Sequence, residues 1–265
     1  MLSDESTENK ASEHPSPARI FEQYFKVVPA LTTPLIQKTY QIRHEVYCRD
    51  LGWEPSRTDG KESDKYDSHS IPCLLTTAQT GASVGSLRLV LNSQTLAEDA
   101  FPVVVACKST IDKDLLAAVL SNRSKVAEVS RLAVMRDYRR RKGETEKPIV
   151  ISDSDFGDHE HKRFPYIPVS LFLSALAMAE NLDIQYLLLL SEPRLAQHLG
   201  RLGFVIQQIG AEIEHRGTRI PSVIETKSTI ENFRNPLPNI WSVVSREIEE
   251  GFVQDAQSPL QYGYG

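Results

Sequence analysis

Glu128 and Arg131, three apart in the apolar run EVSRLAV, are the pair in this sequence best placed to do chemistry. A carboxylate can take a proton from an amine, and a guanidinium beside it can hold a charged partner. On a regular strand the two point to opposite faces, with Glu128, Ser130, Leu132 and Val134 on one side and Val129, Arg131 and Ala133 on the other. One β-bulge near Val129–Ser130 would reverse that parity. It would bring both side chains toward one face and free a backbone N–H to meet a developing oxyanion. The other reading of the same residues is a buried, salt-bridged strand.

Further charges lie upstream. Arg43 and Tyr47 stand at i and i+4 on a predicted helix, a spacing that also fits a plain solvated face. Trp53 reads as a core aromatic, and Asp64 and Asp67 as turn or cap residues of a polar loop. Arg88 in LRLV is a charge inside an apolar strand and needs a partner or an anionic ligand. After EVSRLAV comes the basic cluster Arg139, Arg140, Arg141 and Lys142, closed by Gly143. A strand, a basic glycine loop and a helix N-terminus together could hold a pyrophosphate, a nucleic-acid patch and a solvated run being the alternatives. His159 and His161 in the polar stretch that follows match no zinc spacing, so no metal is assigned. His198 and His215 stand alone and read as structural. The sequence contains no GxSxG, HExxH, GxxxxGK[ST] or GxGxxG.

The elements that must position these residues follow from pattern. A strand is predicted around 24–31, then a helix opening at Thr33-Pro34 and running to Gly52. IPCLLTTAQ and VGSLRLVLN form a hairpin about Thr80-Gly81, and DKDLLAAVLSN is a helix. The second half alternates helix (IPVSLFLSALAMAENLD), strand (IQYLLLLSE), helix (PRLAQHLGRLG) and strand (FVIQQIG). A hairpin at Arg216-Gly217 and two helical segments follow. Strand runs apolar on both sides need helices on both faces, so the fold class is α/β, a mixed α+β sheet with helices on both faces.

The chain has 265 residues, 25% charged and 40% hydrophobic, with a formal net charge of -5. Collagen-like and disulfide-stapled classes are excluded, and the acidic balance excludes a general nucleic-acid partner. Cys48, Cys73 and Cys107 are too few and too scattered for a disulfide framework and point to a reducing cytoplasm. VSLFLSALAMA is too short for a membrane span. The first residues have no apolar signal region and read as a disordered tail over 1–20, with a second tail over 251–265.

Taken together, Arg43, Tyr47, Trp53, Asp64, Asp67, Arg88, Glu128 and Arg131 resemble in order and spacing the signature of acyl-homoserine-lactone synthases, a branch of the GNAT acyltransferase fold. The second half, from LFLSALAMAENLDIQYLLLLSEPRLAQHLGRLGF to EHRGTRIP, resembles the PEP-CTERM/exosortase system-associated acyltransferases, relatives of the N-acyl amino acid synthases. The resemblance implies one GNAT-like domain over 21–250 with a polar insertion at 144–164. It implies an N-acyltransferase moving a fatty acyl chain from acyl-CoA or acyl carrier protein to a small amine such as an amino acid, with no permanently bound cofactor. The strands EVSRLAV and IQYLLLLSE should splay apart. The main chain of Leu132, Ala133 and Val134 would hold the pantetheine arm, and Arg139, Arg140, Lys142 and Gly143 the donor's phosphates. Glu128, Ser130 and Arg131 would be catalytic, and Arg43, Tyr47, Trp53, Asp64, Asp67 and Arg88 would shape the acceptor side. The alternatives are a lactone synthase using S-adenosylmethionine and a non-catalytic module that binds acyl thioesters.

Overall fold

The computed structural model describes residues 16–93, 95, 101–139 and 165–256. Eight strands form one sheet: β1 (Phe25–Pro29), β2 (Ser70–Thr77), β3 (Ser83–Leu91), β4 (Val126–Val134), β5 (Tyr186–Ser191), β6 (Ile206–Gln208), β7 (Ile213–Glu214) and β8 (Thr218–Glu225). Their order is β1-β2-β3-β4-β5-β8-β6, with β7 paired to β8. Every pairing is antiparallel except β4 with β5. This is the mixed sheet that the sequence pattern predicts.

The helices are α1 (Pro17–Tyr24), α2 (Thr33–Arg43), α3 (Pro102–Ala106), α4 (Lys113–Val119), α5 (Tyr166–Asn181), α6 (Pro193–Arg201), α7 (Thr226–Glu231) and α8 (Leu237–Ala256). α5 is buried without a break from Pro168 to Ala179, its Ser170 and Ser174 hydroxyls donating back to carbonyls of the helix itself, and it packs between the sheet and α8. With Leu89, Val129 and Leu189 of the sheet it forms the core of one face. On the other face Val90, Val126, Leu188 and Val223 meet Phe101, Val103 and Cys107 around α3. Leu74 and Ala133 meet Ile42, Val46 and Tyr47 on that same side.

Two features of β4 govern the site. Its parallel ladder with β5 runs only from Val126↔Tyr186 to Val129↔Leu189, so Ser130 to Val134 have no partner in β5 and the two strands part there. Against β3, Arg88 faces Ser130 but Ser86 faces Ala133, so two steps of β3 meet three of β4. Arg131 lies in this bulge with φ 50°, a left-handed backbone that a long side chain adopts only under outside constraint. The bulge thus sits beyond Ser130, later than the Val129–Ser130 position that parity alone predicts.

Three boundaries differ from expectation. The predicted helix 33–52 is α-helical only to Arg43 and continues as a π-helical turn, His44–Asp50. α1 starts at Pro17, inside the predicted tail, because Ser16 caps it and Phe21 is fully buried. α8 runs to Ala256, past the predicted limit, because it lies against β1. A Cβ on Gly251 would come within 2.5 Å of the Pro29 ring, so glycine is what permits the contact. The insertion 144–164 lies outside the described residues. Among those described, no helix is long and apolar enough to cross a membrane.

Candidate active site

The site is built outward from buried arginines. Arg43, at the last turn of α2, holds Asp67 through two hydrogen bonds of 2.6 and 3.0 Å and Glu62 through its Nε. Arg88 of β3 donates from Nη1 to Asp64 at 2.6 Å and Asp67 at 2.8 Å, and from Nε to the hydroxyl of Ser130 at 3.1 Å. Both guanidiniums are 1% exposed, which is tolerable only because each is paired. Asp64 and Asp67 are held in turn by a capping box at the start of the short turn Lys65–His69. Burial alone would raise both carboxyls, but the hydrogen bonds and charges of Arg88 and Arg43 prevail and keep them below the usual carboxylate range.

Closer to the open space, Arg131 reaches Glu54, Glu62 and Asp64 at 3.1–3.2 Å, which supplies the constraint its backbone needs. Arg216, from the β7–β8 turn, donates to Glu54 at 2.8 Å and to the Trp53 carbonyl at 3.1 Å. Each of these two guanidiniums lies over an aromatic ring: Arg216 is 5.5 Å from the Trp53 centroid and Arg131 5.6 Å from that of Tyr47. Tyr47 and Trp53 stack at 6.0 Å with 21° between planes. Four arginines and four carboxylates thus interlock around two stacked rings. The Tyr47 phenol, pushed up to about 12 by burial, donates to the Leu132 carbonyl at 2.9 Å.

Glu128 is placed differently. It is 2% exposed, lies one register step from the fork of β4 and β5, and forms no ion pair among the described residues. Its carboxyl receives the Val103 N–H of α3 at 2.8 Å. Burial pushes it up to about 8, against the lesser pull of that N–H and of Arg88 and Arg131. A carboxyl poised there can exchange protons near neutrality.

A cavity of about 470 Å³ opens at the fork. Phe172, Val129, Leu189 and Leu195 line it from the α5 face, and Val103, Ala106, Leu190 and Glu128 from the α3 face. One space therefore passes between the parted strands. Tyr47, Trp53, Asp64, Arg88, Ser130, Arg131 and Leu132 also border it.

Of the residues singled out from sequence, Glu128 and these seven meet in one place, with Arg43 and Asp67 just behind them. Ala133 and Val134 continue β4 but face β3 and lie outside the cavity wall. Arg139, expected to meet the donor's phosphates, is 7% exposed and paired with Asp50 at 2.6 Å. Arg140, Lys142 and Gly143 lie outside the described residues. Sequence reasoning missed Glu54, Arg216 and Arg219, placed Glu62 only in the acidic run of the polar loop with Asp64 and Asp67, and read His215, which lies at the rim, as structural. The local signal for Glu54 is that it adjoins Trp53. Among the described residues no group of three or more His, Cys, Asp or Glu is placed to hold a metal.

Residues 42–146 match the family described as acetyltransferase (GNAT) domain. Among solved structures, a CoA-dependent acyl-homoserine lactone synthase, BjaI, with SAM and isopentyl-CoA superposes with a TM-score of 0.51 at 16% identity, covering 84% of this chain and 89% of that one. TofI, in a ternary complex with an inhibitor and MTA, gives 0.51 at 18%, covering 76% and 91%. FeeM, an N-acyl amino acid synthase from uncultured soil microbes, gives 0.50 at 14%, covering 79% and 94%. At these identities the likeness is one of fold. The chain thus has a GNAT-like mixed α/β fold, and the domain match together with these neighbours supports an acyltransferase.

Proposed function

We propose that the protein is an N-acyltransferase that moves a fatty acyl chain from a pantetheine thioester to the amino group of a small acceptor such as an amino acid. The observation that carries this reading is the fork of β4 and β5, with a buried carboxyl beside it and a cavity passing between the strands. A thioester threaded through the fork meets main-chain groups of Ser130 to Val134 that β5 leaves unpaired, and N–H groups among them can receive the oxyanion. The apolar walls Val129, Phe172, Leu189 and Leu195 suit the acyl chain. Glu128, ionised, takes a proton from nitrogen as the C–N bond forms and returns it to the departing sulfur, directly or through water. Ser130 and Arg131 hold the acceptor side together with the charged network.

Attack is direct. Cys48, Cys73 and Cys107 are buried and none borders the cavity, and burial pushes Cys73 up to about 12 and Cys107 to about 11, so no activated thiol is at hand. The donor is acyl-CoA or acyl carrier protein. Buried free thiols support a reducing cytoplasm, and the second-half motifs support an association with the PEP-CTERM/exosortase system.

Incubation with acyl-CoA or acyl carrier protein and a panel of amino acids should release thiol and form N-acyl product. Including S-adenosylmethionine distinguishes the lactone-synthase reading by the appearance of lactone. Donor binding without turnover of any amine would leave only the non-catalytic module standing.

A further inference from the structure

The nitrogen of an acceptor that arrives as R–NH3+ must shed two protons to become an amide R–NH–CO. One leaves with sulfur as the thiol. The other must leave the site altogether. Glu128 can move one of them, but at 2% exposure it lies at the bottom of the fork, away from bulk solvent.

The same cavity is also lined by an imidazole, that of His215. It sits in the β7–β8 turn and is exposed, and its N–H donates to the Gly217 carbonyl at 3.0 Å. The turn is fixed by left-handed backbone at Arg216 and Gly217 and by the Gly217 N–H on Glu214 at 2.8 Å. No ring hydrogen bond of His215 is formed among the described residues, which leaves an imidazole nitrogen available at the rim. The charges facing it are Arg216 of its own turn, Arg219 of β8, Arg131 of β4 and Glu54 of the loop after the π-helical turn. Glu192, also on the cavity wall, is engaged by Arg219 at 2.9 Å, and Glu54 by Arg131 and Arg216.

We infer that His215 is a second base of this site, removing the first proton from the acceptor ammonium at the cavity mouth and passing it to water, while Glu128 handles only the second. The inference rests on the acyl-transfer reading above. The proton balance closes: R–NH3+ gives its first proton to imidazole and then to solvent, and its second to Glu128 and then to the thiolate. Loss of hydration beside the turn and the guanidiniums of Arg216, Arg219 and Arg131 hold the imidazole below the ordinary histidine range. The same guanidiniums disfavour an ammonium in their midst, which promotes its loss of a proton. One buried and one solvent-facing titratable group, shifted in opposite directions, divide the work between them.

The test compares kcat/KM against pH for wild type and His215→Gln, with two acceptors: the α-amino acid the wild type uses best, and hydroxylamine, which is already unprotonated at neutral pH. With the amino acid the variant should lose about a hundredfold at pH 7 and recover as pH rises toward the pKa of the amine; with hydroxylamine it should keep the wild-type rate. An unchanged pH profile with the amino acid overturns the inference, and so does an equal loss with both acceptors, the mark of a structural role. In either case wild-type turnover leaves the acyltransferase reading intact, whereas a wild type that acylates neither amine overturns both.

Discussion

Tyr47 donates its phenolic hydrogen to the main-chain carbonyl of Leu132 at 2.9 Å, across 85 residues of sequence. The bond ties the π-helical turn to β4 just past the fork, where β5 no longer supports the strand. Because burial pushes the phenol up to about 12, the bond persists through the physiological pH range. Tyr47→Phe keeps the ring stack but leaves a half-buried carbonyl without this partner. Stability should fall by about 1–2 kcal/mol. KM for the acyl donor should rise more than kcat falls, because β4 is the strand against which the donor would lie.

Glu128→Gln separates chemistry from binding. The amide keeps the shape of the carboxyl but takes no proton, so kcat should fall by roughly 10²- to 10⁴-fold with donor affinity unchanged. Stability carries a second signature. The carboxyl is raised from 4.5 to about 8 on folding, so between those values the folded chain holds a proton that the unfolded chain sheds. Wild-type stability should therefore be fullest below about 4.5 and decline as pH rises through about 8, while the Gln variant lacks that component. Denaturant midpoints measured from pH 5 to 9 read it directly, and parallel curves would refute the assignment.

Asp67 pairs with both Arg43 and Arg88, each 1% exposed. Asp67→Asn leaves the two buried guanidiniums short of a countercharge, and stability should drop by about 3–5 kcal/mol. Glu45→Gln, which breaks the exposed Arg49–Glu45 pair, should change it by less than about 0.5 kcal/mol. Since Asp64 and Asp67 are held below the usual carboxylate range, their contribution is present at neutral pH and is lost only as pH falls through that depressed range. Chemical denaturation of the two variants gives the comparison.

Leu195 of α6 lines the cavity on the α5 side. Leu195→Trp should shorten the space for an acyl chain, cutting kcat/KM for long-chain donors by roughly tenfold while sparing acetyl. A uniform loss at all chain lengths would place the chain elsewhere.

Much of the frame was legible from local pattern. The β2–β3 hairpin, the all-buried α5, the central β4 and the Arg216-Gly217 turn each carry their own signal in alternation, apolar run or turn residue. Arg88 was legible too, since a charge in an apolar strand demands partners, and Asp64 and Asp67 are those partners. Other parts depend on contacts that no window contains. Arg216 meets Glu54 across 162 residues, and Arg131 meets Glu62 across 69. The bulge position follows from those ion pairs rather than from strand propensity, which is why parity alone put it too early. α1 and the end of α8 are ordered by packing on the sheet, and their composition resembles that of loose termini.

The turn His44–Asp50 winds more widely than an α-helix and so places one extra residue between Arg43 and Trp53. Remove any single residue from it and the turn loses the residue that its wider winding accommodates, so the side chains on either side of the deletion cannot all keep their places. Composition, charge and hydrophobic count would scarcely change. Yet Tyr47 and Trp53 would no longer face Leu132 and Arg216 together. The spacing between these residues is thus a matter of length as much as of identity: substitution at most positions of this turn should be tolerated better than deletion at any of them.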